Sequence, residues 1–136
     1  MIKPINHDLT FLAQKAHPAT TVDRQIITDL LDTLAAHHDD CVGMAANMIG
    51  INKRIIVVQM GPFAVPLVNP KITHRANPHS VTEGCLSISG QKTTTRYQSI
   101  TVSYLDRQFQ PQQQTFTDWI AQIIQHELDH CEGILI

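Results

Sequence analysis

The sequence predicts an α+β fold in which mostly antiparallel sheets surround a C-terminal helix, with a further helix near the N-terminus. Three observations carry this prediction. An apolar repeat at helical spacing lies early in the chain, short runs rich in β-branched residues occupy its middle, and a second helical pattern lies close to its end. The chain has 136 residues, a length typical of one domain with one core, so we expect a single domain over residues 1–136.

The first part of the chain is predicted to be helical. Residues 8–16 favour a short helix or turn that ends at His17-Pro18. Thr21-Val22-Asp23 offers an N-cap for a longer helix, which should fade within residues 37–40. Residues 41–50 are rich in small side chains and indicate tight backbone packing rather than a regular element. The apolar positions of the longer helix recur at helical spacing and are Ile26, Ile27, Leu30, Leu31 and Leu34.

The middle of the chain is predicted to form strands. Residues 54–60 contain four consecutive β-branched residues and favour a strand buried on both faces. Residues 65–72 favour a second strand, nearer a sheet edge because Pro66 and Pro70 cannot donate backbone hydrogen bonds. A short strand is also indicated over residues 82–88.

The last part of the chain is predicted to be a hairpin followed by a helix. Residues 100–105 alternate in polarity, turn at Asp106-Arg107 and pair back through residues 109–116. Thr117 or Asp118 then caps a helix from Trp119 to Glu132, which Gly133 ends.

Composition excludes several classes of protein. The net charge is -2 and the Lys and Arg residues are scattered singly, which argues against a nucleic-acid partner or a membrane surface. No apolar run is long enough to cross a bilayer, and residues 1–8 lack the apolar stretch of a secretory signal. Three cysteines then favour reduced thiols or a metal ligand over disulfides. We expect a soluble cytoplasmic protein.

An HExxH pattern near the end of the chain carries the main chemical signal. His126 and His130 are four residues apart, so both share one helix face and can bind one divalent metal ion. Glu127 between them can act as general base toward an attacking water. Only Cys131 to Ile136 follow, so the third ligand is expected upstream.

Cys85 is the strongest upstream candidate for that ligand. A thiolate beside Gly84 at a strand edge can complete a three-ligand site with one open position, as a catalytic metal requires. The alternative, that Cys85 is a small buried apolar residue, is equally consistent with its spacing alone. The other candidates are Cys41, Glu83 and histidines in polar surroundings typical of solvated surface: His7, His17, His37, His38, His74 and His79.

Three segments together resemble the signature motifs of the peptide deformylase family: Gly43-Met44-Ala45-Ala46, Glu83-Gly84-Cys85-Leu86-Ser87 and Gln125-His126-Glu127-Leu128-Asp129-His130. The resemblance implies a metal-dependent hydrolase that removes the formyl group from N-formylmethionyl peptides. It implies that Cys85, His126 and His130 bind the metal, that Glu127 is the acid and base, and that the backbone N–H of Leu86 stabilises the oxyanion. It also implies Fe(II) in the cell, although these ligands equally suit Zn(II), Ni(II) or Co(II).

The first motif departs from the family pattern at two positions. Met48 stands where the family has a Gln that donates to the oxyanion, and Cys41 stands where it has Gly. Methionine cannot donate a hydrogen bond. Asn47 offers a neighbouring amide, but adjacent side chains of an extended segment point to opposite faces. A slow or differently specific N-acyl hydrolase and a non-catalytic peptide-binding relative are therefore the alternatives.

The substrate pocket is predicted from helix geometry. Trp119 and Ile123 precede His126 by seven and three residues on the stripe that carries both histidines. With Val42 and Val81 they are expected to line an apolar cavity suited to a methionine side chain, or else to be ordinary core residues. The main chain at Gly43 is expected to pair with the substrate backbone, or only to pack closely.

Other polar residues of the motifs have predicted supporting roles. Asp129 is either a support for His126 or a solvated carboxylate on the helix surface, and the resemblance implies support, with Arg96 as its partner. Glu83 either holds the second motif or is a surface carboxylate. Cys131 points about 100° away from His130 on the helix and is expected to pack. The chain shows no C-terminal extension of the kind many family members carry, so any ribosome contact is expected to be transient and to use another surface.

Overall fold

The computed structural model describes all residues, 1–136, and contains one five-stranded antiparallel sheet in the order β1-β2-β3-β4-β5. This confirms the predicted α+β class, with a helix near the N-terminus and a C-terminal helix. The helices and strands are α1 (Leu9–Leu12), α2 (Arg24–Ala36), β1 (Gly43–Ala45), β2 (Ile55–Met60), β3 (Phe63–Gly84), β4 (Gln91–Leu105), β5 (Pro111–Thr117) and α3 (Asp118–Cys131).

Strand β2 lies between the two long helices, and this explains its apolar sequence. Ile56 and Val58 belong to the core cluster that contains the apolar face of α3. Ile55 and Val57 alternate with them and belong to the cluster that contains the apolar face of α2. All four side chains are fully buried, as predicted for a strand covered on both faces.

The sequence prediction of two short strands, over residues 65–72 near a sheet edge and over residues 82–88, was wrong, because both ranges fall within or just after the long strand β3. It is a single strand of 22 residues in the middle of the sheet, and it ends at Gly84 rather than continuing to residue 88. Its first six residues, Phe63 to Val68, pair with β2, and the part from Val68 to Gly84 pairs with β4, so Val68 is the one residue paired with both. Pro66 therefore lies in a part that is paired on one side only, and Pro70 lies at a register shift, so neither removes a bond from a doubly paired ladder.

Two further predictions were wrong in extent. Strand β4 begins at Gln91, not at residue 100, because a mostly polar stretch extends it against the second half of β3. The segment 41–50 is not irregular throughout, since Gly43–Ala45 pairs with Val58 to Ile56 of β2 as the edge strand β1. A 3₁₀ turn, Ala46–Ile49, follows and ends at Gly50, whose φ is +81°.

The C-terminal helix lies within one residue of its predicted bounds. Thr117 is its N-cap and Glu132 its C-cap, and Gly133 follows with a φ of +74°. Its inner face packs against β1, β2 and β4. None of the helices combines the length and the apolar character needed to cross a bilayer.

Candidate metal centre and active site

Helix α3 brings the two histidines of the HExxH pattern onto one face. The Nε2 atoms of His126 and His130 lie 3.3 Å apart, and the His130 side chain is fully buried. Because these residues are separated by four positions, one helical turn places one ring above the other. Two ring nitrogens therefore point toward the same point in space.

Cys85 joins this pair from the segment that follows β3. Its Sγ lies 3.2 Å from Nε2 of His130, and the three donor atoms lie within 4.8 Å of one another. Two imidazole nitrogens and one sulfur that converge in this way fit a divalent transition metal, which takes nitrogen and thiolate ligands together. Of the upstream candidates, Cys85 alone joins the two histidines in such a group.

The orientation of His126 is fixed by Glu83. Nδ1 of His126 donates to Glu83 Oε1 over 2.8 Å, which leaves its Nε2 free to face the other donor atoms. Arg96 donates to both carboxylate oxygens of Glu83 and also to Asp129 Oδ2, over 2.6 Å. The expected pairing of Asp129 with Arg96 is therefore present, and Glu83 is a buried member of this network rather than a surface carboxylate.

The hydrogen bonds of this network keep Glu83 ionised. Burial alone raises the pKa of Glu83, but hydrogen bonds from His126 and Arg96 outweigh burial and hold that pKa at about 2. Glu83 therefore stays ionised and keeps accepting the proton of His126 Nδ1. Arg96 is 3% exposed and Glu83 9% exposed, so both ends of the ion pair are shielded from water.

Glu127 lies beside the three donor atoms but outside this network. It is 4% exposed, and its Oε1 atom has no hydrogen-bond partner in the chain. Burial raises the pKa of its carboxyl to about 7. A carboxyl of this kind, held without a partner at the wall of a cavity, is suited to take up and release a proton.

A cavity of about 450 Å³ opens beside these residues. Four of the five predicted pocket residues line it: Val42, Gly43, Trp119 and Ile123. The fifth, Val81, does not. Leu86, predicted to stabilise the oxyanion, also lines the cavity. Trp119 is 58% exposed, so it lies at the rim rather than in the core. The backbone N–H of Leu86 donates to no other atom of the chain, which leaves it available to a ligand.

Sequence reasoning missed three polar residues of the lining: Asp40, Thr82 and Gln122. Gln122 lies one helical turn before His126, and its amide donates to Glu83 Oε2 over 3.0 Å. The spacing that indicated Trp119 and Ile123 would also have indicated Gln122. Thr82 and Asp40 carry no comparable signal, because the long β3 and the start of β1 were not predicted.

The two departures from the first motif both line the cavity. Met48 is buried, and its Sδ accepts a hydrogen bond of 3.4 Å from the backbone N–H of Ala45. The thiol of Cys41 donates to the carbonyl of Gly43 over 2.8 Å, and burial raises its pKa to about 12. The cavity wall at these positions therefore offers sulfur atoms where the family pattern has an amide and a glycine.

Asn47 does not take the place of the missing amide. Its Nδ2 donates to the carbonyl of His130 over 2.9 Å, and it is absent from the cavity lining. The side chain therefore points toward the end of α3, while the next residue, Met48, faces the cavity. Cys131 is 1% exposed within the core cluster of α3, so it packs as expected.

Gly43 lies so close to α3 that a larger residue would not fit without a shift. A Cβ atom there would be 2.6 Å from Cγ2 of Ile123 and 3.0 Å from Oε2 of Glu127. We therefore expect Gly43→Ala to lower the free energy of unfolding by about 1–3 kcal/mol, the typical cost of overpacking. Urea unfolding followed by circular dichroism measures this change.

Gly84→Ala is the matched control for this prediction, because its Cβ would meet no atom closer than 3.9 Å. The double variant Gly43→Ala/Ile123→Ala removes the clashing Cγ2 and should lose less stability than the two single changes combined. If Gly43→Ala unfolds at the same urea concentration as the unchanged protein, the close approach of β1 to α3 is contradicted.

This fold and this group of side chains are typical of a metal-dependent hydrolase. Comparison with known proteins shows the family. The sequence model of the family described as polypeptide deformylase matches residues 2–136. The chain is 52% identical to a peptide deformylase of Clostridium beijerinckii over 136 residues, which is 100% of both chains. It is 38% identical to a peptide deformylase of Caldanaerobacter subterraneus over 91% of this chain and 79% of the relative.

Solved structures agree with the sequence comparisons. The crystal structure of a peptide deformylase from Legionella pneumophila is similar with a TM-score of 0.89 at 32% identity, over 99% of this chain and 83% of that one. A class I type b peptide deformylase from Acinetobacter baumannii, bound to Met-Ala-Ser, has a TM-score of 0.89 at 28% identity, over 99% and 97% of the two chains. The chain belongs to the polypeptide deformylase family.

Proposed function

We propose that this chain, acting as a single domain over residues 1–136, hydrolyses the formyl group of N-formylmethionyl peptides at the site formed by Cys85, His126, His130 and Glu127. The observation that carries this proposal is the convergence of one sulfur and two nitrogen donors beside a buried, unpartnered carboxylate. Family membership supports the reaction, and the cavity beside these atoms gives a peptide access to them.

Cys85, His126 and His130 would hold one divalent metal ion, which is Fe(II) in the cell and Zn(II), Ni(II) or Co(II) in a purified sample. When bound, the ion supplies Lewis-acid chemistry at a coordination position that the chain leaves open. The fit rests on the donor set itself, because two imidazole nitrogens and a thiolate suit each of these ions.

Glu127 would carry the proton through the reaction. It takes a proton from the attacking water as the oxygen bonds to the formyl carbon, and it gives that proton to the nitrogen as the carbon–nitrogen bond breaks. The products are formate and a peptide with a free amino terminus. The backbone N–H of Leu86, which has no partner in the chain, donates to the oxygen that becomes negatively charged during the attack.

The peptide would bind along the free edge of β1. This strand is the first of the sheet, so the side of Gly43 that faces away from β2 carries no neighbouring strand. Ile123 and Met48 then offer apolar surface to the methionine side chain within the cavity. The Met-Ala-Ser peptide bound to the Acinetobacter baumannii enzyme is consistent with a ligand of this type.

A cytoplasmic location and a transient contact with the ribosome stay predictions from the sequence. The experiment that tests the proposed reaction is an anaerobic assay of the iron- or nickel-loaded protein on formyl-Met-Ala-Ser and acetyl-Met-Ala-Ser. We expect formate from the first peptide and no acetate from the second. Acetate release would indicate a different N-acyl specificity, and no product from either peptide with metal bound would overturn the proposal in favour of a binding protein.

A further inference from the structure

A second cleft, of about 250 Å³, lies between helix α3 and the part of β3 that pairs with β4. No residue lines both this cleft and the cavity beside the metal centre. Four of the ten Lys and Arg residues line it, although the net charge of the chain is -2, and they are Arg54, Lys71, Arg75 and Arg96. The fold therefore collects at one concave surface cations that the sequence alone does not group.

The carboxylates of this cleft are already held by arginines. Asp129 and Glu132 are the only acidic residues of its lining. Asp129 pairs with Arg96 over 2.6 Å, and Glu132 pairs with Arg54 over 2.7 Å and with Lys15 over 3.5 Å. Because each carboxylate is neutralised in this way, little negative charge is left to repel an anion.

The other two cations of the lining are uncompensated. Lys71 and Arg75 are exposed, and neither forms an ion pair within the chain. Cζ of Arg75 lies 5.6 Å from the ring centroid of Tyr97, a contact that holds the guanidinium against the wall of the cleft. Thr95 and Tyr97 add hydroxyl groups that can donate to an anion.

These groups suit a small ligand with more than one phosphate. Lys71 and Arg75 are four residues apart on β3, so their backbones are separated by up to about 13 Å, and a ligand with two charged groups reaches both more readily than one with a single group. The planar fork of Arg75 matches the oxygens of a phosphate. A nucleic-acid strand would need an extended basic surface with several phosphate contacts rather than one small cleft.

We propose that this cleft binds the diphosphate group of a small ligand, with Lys71 and Arg75 as its principal contacts. The site is separate from the cavity in which the hydrolysis is proposed, so it would serve a function besides that reaction.

The test is a calorimetric titration of the metal-loaded protein with inorganic pyrophosphate at low salt. We expect one site per chain, and we expect Lys71→Gln/Arg75→Gln to weaken binding by about ten-fold or more, because charge-assisted hydrogen bonds are lost. Both residues are exposed and unpaired, so this variant should fold, which circular dichroism checks. Lys92→Gln/Arg107→Gln is the matched control, because it removes the same charge outside both linings and should leave the affinity unchanged.

A titration with ADP distinguishes two sources of the diphosphate group. Binding of ADP that is weakened in Lys71→Gln/Arg75→Gln would support the proposal with a nucleotide as the ligand. Binding of pyrophosphate without ADP would support it with the free ion.

Four outcomes would overturn the proposal. Neither pyrophosphate nor ADP binds, or pyrophosphate binds Lys71→Gln/Arg75→Gln as tightly as the unchanged protein and so lies elsewhere, such as at the metal centre. Equal weakening in both double variants would show that net charge rather than position is responsible. Tighter binding of a short single-stranded RNA than of pyrophosphate, lost in Lys71→Gln/Arg75→Gln, would assign the cleft to a nucleic acid instead.

Discussion

Replacement of Glu127 by Gln is expected to lower kcat for formyl-Met-Ala-Ser by about 10²–10⁴-fold, the usual contribution of a general acid–base group. Gln has nearly the same shape as Glu but cannot take up the proton of the attacking water. The side chain is buried and its Oε1 has no partner in the chain, so no hydrogen bond links it to a second group that could take over the proton transfer. Formate release under anaerobic conditions measures the loss.

Metal content separates this effect from damage to the site. Glu127 is not one of the three converging donor residues, so Glu127→Gln should bind as much metal as the unchanged protein. Glu132→Gln is the matched control. Glu132 is the C-cap residue of the helix that carries Glu127, but it lies outside the cavity lining and pairs with Arg54. Unimpaired turnover in Glu127→Gln with full metal content would contradict the proposed role of this carboxylate.

Introduction of Gln at position 48 is expected to raise kcat by about 10²-fold, because one oxyanion donor is typically worth 10²–10³ in rate. Met48 lines the cavity, and its sulfur accepts the N–H of Ala45. The Oε1 of a Gln side chain can accept that same N–H while its Nε2 donates into the cavity. The cavity then holds a second donor besides the backbone N–H of Leu86. Steady-state kinetics of Met48→Gln on formyl-Met-Ala-Ser measure the gain.

Met48→Leu is the control for the Gln substitution. It keeps an apolar side chain of similar size and removes the sulfur that Ala45 contacts, without adding a donor. We expect kcat of the Leu variant to equal or fall below that of the unchanged protein. If Met48→Gln folds and binds metal but turns over no faster, a missing donor is not what limits this enzyme.

The parts of the fold with periodic apolar residues could be predicted from the sequence. Helices α2 and α3 each bury one stripe of apolar side chains, and β2 is buried on both faces, so their patterns are strong. The long pairing of β3 with β4 could not be predicted, because its outer part is mostly polar and exposed. Cross-strand pairing of polar residues leaves no pattern of buried positions in the sequence.

The candidate site was predictable where one element carries several of its residues. His126, Glu127, Trp119 and Ile123 follow from helical spacing on α3 alone. Cys85 could be paired with them only through the resemblance to a family, because no local rule relates the end of β3 to α3. The sulfur contact of Met48 depends on the 3₁₀ turn after β1 and that of Cys41 on the start of β1, and neither element was predicted.

The most direct test of the proposed metal site is the absorption spectrum of the cobalt-substituted protein. A thiolate bound to cobalt gives a charge-transfer band that imidazole ligands do not give. We expect one cobalt per chain and such a band, which Cys85→Ser should abolish and Cys41→Ser, in the same cavity lining, should retain. A band that survives in Cys85→Ser, or one that is lost in Cys41→Ser, would show that the ion does not bind at Cys85, His126 and His130.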